Sequence, residues 1–469
     1  MVIKPLLHSI KNSGIYAISM GAGTLYMWIL SFLWNKMLNF VSMMGNLFYR
    51  KGITSAVFGV VFMFSFIRTG AQDIRQVEDY EEADTVTADT TENIGEDREL
   101  PWPLNIQARM DKLMESSIFT TSTVGMEIYD LTADSAIYRY NERQLMRPAS
   151  TMKMIVAVTA LDRLGSSYKY VTSLHYKGDM DSTALNGDVY CKGGFDPAFG
   201  NADMDMFVEA VKQLGIDTIR GDIYADLTMK DSDRLGEGWC WDDDNPVLSP
   251  LLINRKDEFA KRFKARLEKE GIYIGGELRE GRTPYGAREI CRKERLLGDI
   301  MKRMMKRSDN LYAESMFYQL AADTGGSRVI SARHGRQAVN RLVSRLGLKP
   351  SHYYVADGSG LSLYNYVSPH MEVRFLRYAY ADKEIYDALL PTMPIAGVDG
   401  TLAKRMRRGY AHENVKAKTG TVTGVSALAG YCTAANGHVL CFSIINMGIR
   451  HSSSGRNFQD RVCEALCRP

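Results

Sequence analysis

Arg147-Pro148-Ala149-Ser150-Thr151-Met152-Lys153 opens an apolar run that continues to Leu164, and this stretch decides how the rest of the chain is read. Proline is tolerated in the first turn of a helix, where its missing N–H would have no partner anyway, so the run reads as a helix start. On that helix Ser150 and Lys153 stand one turn apart and share a face. A serine hydroxyl attacks only when a base removes its proton. A lysine shut into a partly desolvated site can lose its own proton and serve as that base. The positive end of the helix also favours the negative charge that develops at its first turn during attack. Ser166-Ser167-Tyr168-Lys169 repeats the spacing, but it follows Leu164-Gly165, a helix stop, and lacks the apolar run. The first copy is therefore the candidate, and it requires partners elsewhere.

Two triplets further along supply them. Ser308-Asp309-Asn310 is the only Ser-x-Asn in the chain, and Lys418-Thr419-Gly420 is the only Lys-Thr-Gly. Ser-x-x-Lys, Ser-Asp-Asn and Lys-Thr-Gly in this order, on helix, loop and strand, are the motif set of penicillin-binding proteins and class A β-lactamases. Acyl transfer needs a nucleophile, a proton path to the leaving amine and donors for the oxyanion. Ser150 attacks and Lys153 is the base. Ser308 passes a proton towards the leaving nitrogen, and Asn310 holds Lys153 and the substrate amide. Lys418 sets positive charge beside a C-terminal carboxylate, which the hydroxyls of Thr419 and Thr421 bind. The backbone N–H groups of Ser150 and Thr421 form the oxyanion hole, and Gly420 lets the strand approach substrate without a side chain in the way.

In these motifs and their order the chain resembles the class C low-molecular-mass penicillin-binding proteins, the D-alanyl-D-alanine carboxypeptidase/endopeptidases of peptidase family S13. The likeness runs from about residue 105 to the C-terminus. It is carried by residues 147–153, Gly193-Gly194-Phe195-Asp196-Pro197, residues 306–314, residues 357–362 with Val367-Ser368-Pro369, residues 394–402 and residues 416–431. It implies a penicilloyl-serine transferase fold, a periplasmic or extracellular location, peptidoglycan stem peptides as substrate and β-lactams as covalent inhibitors. Ser150, Lys153, Ser308, Asn310 and Lys418 are the catalytic residues it implies. Longer relatives carry a further domain after the stretch matching Leu251-Leu252-Ile253-Asn254, whereas here the chain runs almost directly into a helix at Phe259, so a single inserted lobe is expected. Many relatives have Arg after Asp-Gly-Ser-Gly-Leu-Ser, where this chain has Leu363. Trp241, Asp242 and Asp243 are then the candidates for lining the pocket of the stem-peptide side chain.

Other classes fit less well. A class A β-lactamase needs a glutamate in Glu-x-x-Leu-Asn to activate the deacylating water, and no such pentapeptide occurs, so a penicillin acyl-enzyme should be long-lived. An α/β-hydrolase would show Gly-x-Ser-x-Gly, which is absent. A wall-binding sensor that lost activity would not be expected to keep every polar group of the site. The net charge of +3 gives no reason to expect nucleic acid, and seven cysteines without a Cys-x-x-Cys pair give none to expect zinc. No cofactor is implied.

The chain divides by composition. Residues 1–72 read as a membrane-targeting region: a signal peptide at about residues 44–71 has a basic start, an apolar core and small residues at its end, and residues 1–43 are an added anchor or a start upstream of the true one. Residues 73–100 are acidic, poor in aliphatics and read as a flexible spacer. The folded part is α+β: a catalytic domain from residues 101–177 and 295–469, with a smaller α/β lobe inserted at residues 178–294. The pattern predicts a hairpin over residues 124–141, a three-stranded meander over 414–447, and helices at 105–116, 331–346, 368–381, 383–389 and 458–467. Strands near residues 219–224 read as a pair. Asn436-Gly437 reads as a two-residue hairpin turn, which would set Cys432 opposite Cys441, either as a cross-strand disulfide or as two buried thiols.

Overall fold

The computed structural model describes residues 100–242, 245–322 and 329–469. The expected targeting region, the acidic spacer up to residue 99 and Asp243 lie outside the described residues. Helix α1 (Leu104–Met114) turns Ile106, Met110 and Leu113 inward at helical spacing. Strands β1 (Thr123–Asp130) and β2 (Ser135–Tyr140) form the expected hairpin. The Ser150 stretch begins as a 3-10 turn, Ala149–Thr151, rather than as the first turn of an α-helix, and hands over to α2 (Met152–Leu164). Every residue of α2 from Met152 to Leu161 is buried, as a helix apolar on all sides must be.

A second sheet follows. It contains β3 (Lys169–Asp181), β4 (Ala184–Lys192), β5 (Thr218–Ile219), β6 (Ile223–Asp226), β7 (Tyr273–Ile274), β8 (Leu278–Glu280) and β9 (Arg288–Leu296). β3 lies antiparallel between β4 and β9, while β5 and β6 pair in parallel with β4. The expected pairing of residues 219–224 with one another does not occur. Arg220 and Gly221 donate to the carbonyls of Leu185 and Gly187, so the chain runs straight on along one edge of β4 instead of reversing. Two helices, α3 (Asn201–Lys212) and α4 (Phe259–Lys269), cover this sheet, and the ring of Phe199 packs on Phe207 and Phe259 at 5.3 and 5.0 Å.

The chain then returns through α5 (Leu297–Arg307), α6 (Asn310–Ala322), α7 (Ala332–Arg345), α8 (Pro369–Ala381) and α9 (Lys383–Leu389). The meander is β10 (Lys416–Val422), β11 (Val425–Thr433) and β12 (Val439–Met447), and α10 (Ser452–Cys467) closes the chain. The main sheet runs β10-β11-β12-β1-β2, so the two ends of the folded chain meet between β12 and β1. On one face α1 and α10 pack against Val124, Met126, Leu428 and Phe442. On the other, α2, α5, α6 and α8 pack against Tyr129, Ala429, Tyr431 and Ile445.

The turn between β11 and β12 departs from expectation by one residue. Cys432 pairs with Leu440 and Thr433 with Val439, and Ala434 N–H donates to the carbonyl of His438, leaving three residues in the loop with Gly437 at φ +85°. That is the three-residue hairpin with a left-handed glycine rather than the two-residue turn. A slip of one residue moves a side chain to the other face of a sheet. Cys432 accordingly lies among the side chains under α10 and Cys441 on the opposite face, both as free thiols, which removes the disulfide.

Candidate active site

The 3-10 turn that carries Ser150 is bent by Ala149, a non-glycine residue at φ +48°. Its close neighbours leave room for nothing larger than glycine at two positions. A Cβ on Gly420 would sit 2.7 Å from Pro148 O and 3.0 Å from Ser150 N, and one on Gly360 would sit 1.7 Å from Ala149 O. Strand β10 and the loop at residues 357–362 are thus pressed against the turn from two sides. The third side is the junction of α5 and α6. Ser308 ends α5 in a left-handed conformation, φ +55°, and Asn310 begins α6 two residues later. Asp309 between them is turned away, paired with Arg255 at 2.6 Å and Arg303 at 3.0 Å.

These elements bring all five expected catalytic side chains together in two hydrogen-bonded groups. Lys153 Nζ lies 2.7 Å from Ser150 Oγ, 2.8 Å from Asn310 Oδ1 and 2.7 Å from the carbonyl of Ser359. Lys418 Nζ donates to Ser308 Oγ at 2.8 Å and to the carbonyl of Thr419 at 2.7 Å. Both lysines are fully buried. Burial brings Lys153 down to about 8, against the charges of Asp357, Glu314 and Asp309, which pull the other way. Burial and the neighbouring Lys153 hold Lys418 well below the usual lysine range. The second Ser-x-x-Lys copy has no such setting: Ser166 donates to Glu384, and Lys169 pairs with Glu294 at the start of β3.

The contacts of Lys153 bear directly on its role. Asn310 Oδ1 and Ser359 O are acceptors only. A neutral amine therefore uses its two hydrogens on them and leaves its lone pair facing Ser150 Oγ. Strand β10 is the edge of the main sheet, and Ala417 N–H points away from β11 to Pro394 O. Alternate residues of a regular antiparallel strand share that direction, so the N–H of Thr421, four residues on in an unbroken register, points outward too. Thr419 Oγ1 donates to Thr401 Oγ1 at 2.7 Å.

The pocket residues expected from the inserted lobe fare differently. Trp241 is 85% exposed and Asp242 is exposed. Trp239, two residues earlier, is the one tied to the site, donating its Nε1 to Asp357 at 2.8 Å. Asp357 is buried and also accepts from Gly360 N, Ser362 N and Asn365 Nδ2. Glu314, one turn after Asn310 on α6, accepts from the N–H groups of Gly358 and Ser359, which turns the Ser359 carbonyl towards Lys153. Burial and the neighbouring Asp357 push the Glu314 carboxyl up to about 8. Glu314 and Asp357 fall within the stretches that carry the family resemblance, and a carboxylate amid small and apolar residues is their only local signal. Among the described residues no three His, Cys, Asp or Glu side chains gather as a metal site.

A serine and a lysine at the start of a buried helix, faced by an edge strand with Lys-Thr-Gly, place the chain in the class of penicillin-recognising serine peptidases. Its fold matches the crystal structure of penicillin-binding protein 4 from Haemophilus influenzae with a TM-score of 0.69 at 24% identity, covering 77% of this chain and 98% of that one. The chain belongs to the D-Ala-D-Ala carboxypeptidase 3 (S13) family, whose profile matches residues 106–251 and 251–467. It is similar to the D-alanyl-D-alanine carboxypeptidase of Actinomadura sp. (strain R39), 26% identical over 436 residues, 72% of this chain and 80% of that protein. It is likewise 26% identical over 424 residues to the D-alanyl-D-alanine carboxypeptidase DacB of Haemophilus influenzae, 72% of this chain and 87% of that protein. The structure of the Haemophilus penicillin-binding protein 4 complexed with a β-lactam matches at TM-score 0.62 and 25% identity, covering 76% of this chain and 98% of that one.

Proposed function

We propose that the protein cleaves the terminal D-Ala-D-Ala bond of peptidoglycan stem peptides through an acyl-enzyme on Ser150. The observation that carries this is the placement of Lys153 Nζ at 2.7 Å from Ser150 Oγ, with its other two contacts made to acceptors. Neutral Lys153 takes the proton as Ser150 Oγ attacks the scissile carbonyl. The N–H groups of Ser150 and Thr421 receive the oxyanion, and such donors contribute roughly 3–4 kcal/mol to the rate where they have been removed singly. Lys153 gives that proton up by way of Ser308, which is hydrogen-bonded to Lys418, to the leaving D-alanine amine, and so becomes neutral again. Lys418, Thr419 and Thr421 hold the terminal carboxylate. Water then frees the acyl group, with Lys153 again as base.

A β-lactam opened by Ser150 leaves its amine tethered in the site, so the ester should persist. Incubation with a penicillin should add one penicilloyl group, localised to Ser150 by peptide mass spectrometry and absent from Ser150→Ala. A pentapeptide ending in D-Ala-D-Ala should release D-alanine from the wild type alone. Rapid penicillin turnover without a trapped adduct would instead favour a β-lactamase, and labelling without release of D-alanine would favour a wall sensor.

The likeness to D-alanyl-D-alanine carboxypeptidases supports a periplasmic or extracellular site of action, reached through the targeting region in residues 1–72 with residues 73–100 as spacer. Among the described residues no helix is long and apolar enough to cross a membrane. We take residues 101–177 and 295–469 as the catalytic domain and 178–294 as the inserted lobe. The separate core formed by Leu174, Val189, Phe207 and Phe263 supports that division, with a sheet that begins somewhat earlier, at Lys169.

A further inference from the structure

Glu372 lies in the first turn of α8 with no solvent exposure, against the turn that carries Ser150. Its Oε2 accepts from Ser443 Oγ of β12 at 2.6 Å, and its Oε1 is within hydrogen-bonding distance of Thr151 Oγ1. Thr151 Oγ1 is in turn 2.7 Å from Pro148 O. A hydroxyl has one hydrogen, and a peptide carbonyl only accepts. If Thr151 gives its hydrogen to Glu372, two oxygens face each other at 2.7 Å with no proton between them. If it gives it to Pro148, the hydrogen between Thr151 and Glu372 comes from the carboxyl.

The surroundings agree with the second arrangement. Among the described residues no cation pairs with Glu372. His370 on the same helix is engaged by Glu127 of β1 at 2.7 Å, and Arg139 of β2 pairs with that same Glu127. The start of a helix favours an anion, yet here the N–H groups of Met371 and Glu372 go to Ser368 and not to the carboxyl. Burial drives the carboxyl above its usual range, with only two hydroxyls nearby. A bond that the carboxyl itself donates favours the neutral form further.

We propose that Glu372 is a positioning residue for Ser150. As a neutral acid it donates to Thr151 Oγ1, Thr151 donates to Pro148 O, and this relay clamps the turn at residues 148–151. The left-handed Ala149 lies within the clamped segment, and Ser150 Oγ is thereby kept on Lys153. The proposal rests on Ser150 being the nucleophile, but the proton it assigns can be read without any reaction.

Infrared difference spectra of the full chain at neutral pH should show a protonated-carboxyl C=O band that Glu372→Gln removes. Glutamine keeps one donor for Thr151 and one acceptor for Ser443, so Glu372→Gln should acylate with penicillin within about twofold of wild type. Glu372→Ala and Thr151→Val break the relay and should acylate more than tenfold more slowly, while Thr151→Ser should stay close to wild type. If Glu372→Ala does not fold, the infrared band and the Thr151 pair still decide. An unchanged band in Glu372→Gln, or Thr151→Val acylating as fast as wild type, would overturn the proposal. Labelling that survives in Ser150→Ala would instead overturn the nucleophile assignment and leave the infrared result standing.

Discussion

At the scale of single residues the site is a problem of two buried amines. Two ammonium groups in one closed cleft repel each other and are both poorly solvated, so at least one is driven towards its neutral form. The hydrogen-bond pattern makes Lys153 the one that can use this, because its remaining lone pair meets Ser150. With Lys153 titrating at about 8, the rate of acylation by penicillin should rise with pH up to that region as the base form accumulates. Two pH units below that value it should be about 100-fold slower than on the plateau above it, since each unit removes about tenfold of the neutral amine. Stopped-flow acylation between pH 5.5 and 9 measures this, and a rate independent of pH across that span would argue against a lysine base. These residues were legible in the sequence because their chemistry requires given side chains at given spacings. Glu314, Asp357 and Glu372 were not, because a buried carboxyl has meaning only through the groups the fold brings to it.

At the scale of elements, close approach is the controlling quantity. The edge strand β10 can reach the Ser150 turn only because residue 420 has no side chain. Gly420→Ala should push strand and turn apart at the point where the oxyanion is held. A misplacement of about 1 Å at such a position costs about a hundredfold in rate. The prediction is an acylation rate lowered by roughly that factor with a circular dichroism spectrum like wild type. An undiminished rate would mean that the strand does not need its present distance. The local elements were well forecast, since α1, β1, β2, α4, α7 and the meander follow from apolar spacing alone. What failed was pairing. The hairpin at Gly437 has one more loop residue than its Asn-Gly pair implied, and β5 and β6 run along β4 rather than against each other. Both errors concern partners that local pattern does not specify.

At the scale of the molecule a buried ionic seam ties the end of β9 to the segment between β4 and the first turn of α3. Arg295, at the end of β9, reaches Asp196 at 2.8 Å and Asp203 at 2.9 Å, and Asp196 is almost wholly buried. Burial pushes the Asp196 carboxyl up in spite of that guanidinium, so removing the arginine strands a charge. Arg295→Met should lower the unfolding free energy by about 3–5 kcal/mol, the usual cost of breaking one half of a buried pair. Chemical denaturation measures it, and Asp196→Asn in the same chain should recover part of the loss. A change under about 1 kcal/mol would mean that the seam is wetter than its burial indicates. The strands of the main sheet carry one more consequence. β12 stands between β11 and β1, so within the sheet it alone joins the edge bearing Lys418 to the hairpin at residues 123–140. A chain cut before residue 439 would hold all three motifs but lack the strand that places β10 and β11 in one sheet with β1. The strand that carries none of the reacting groups is thereby the one on which the shared sheet depends.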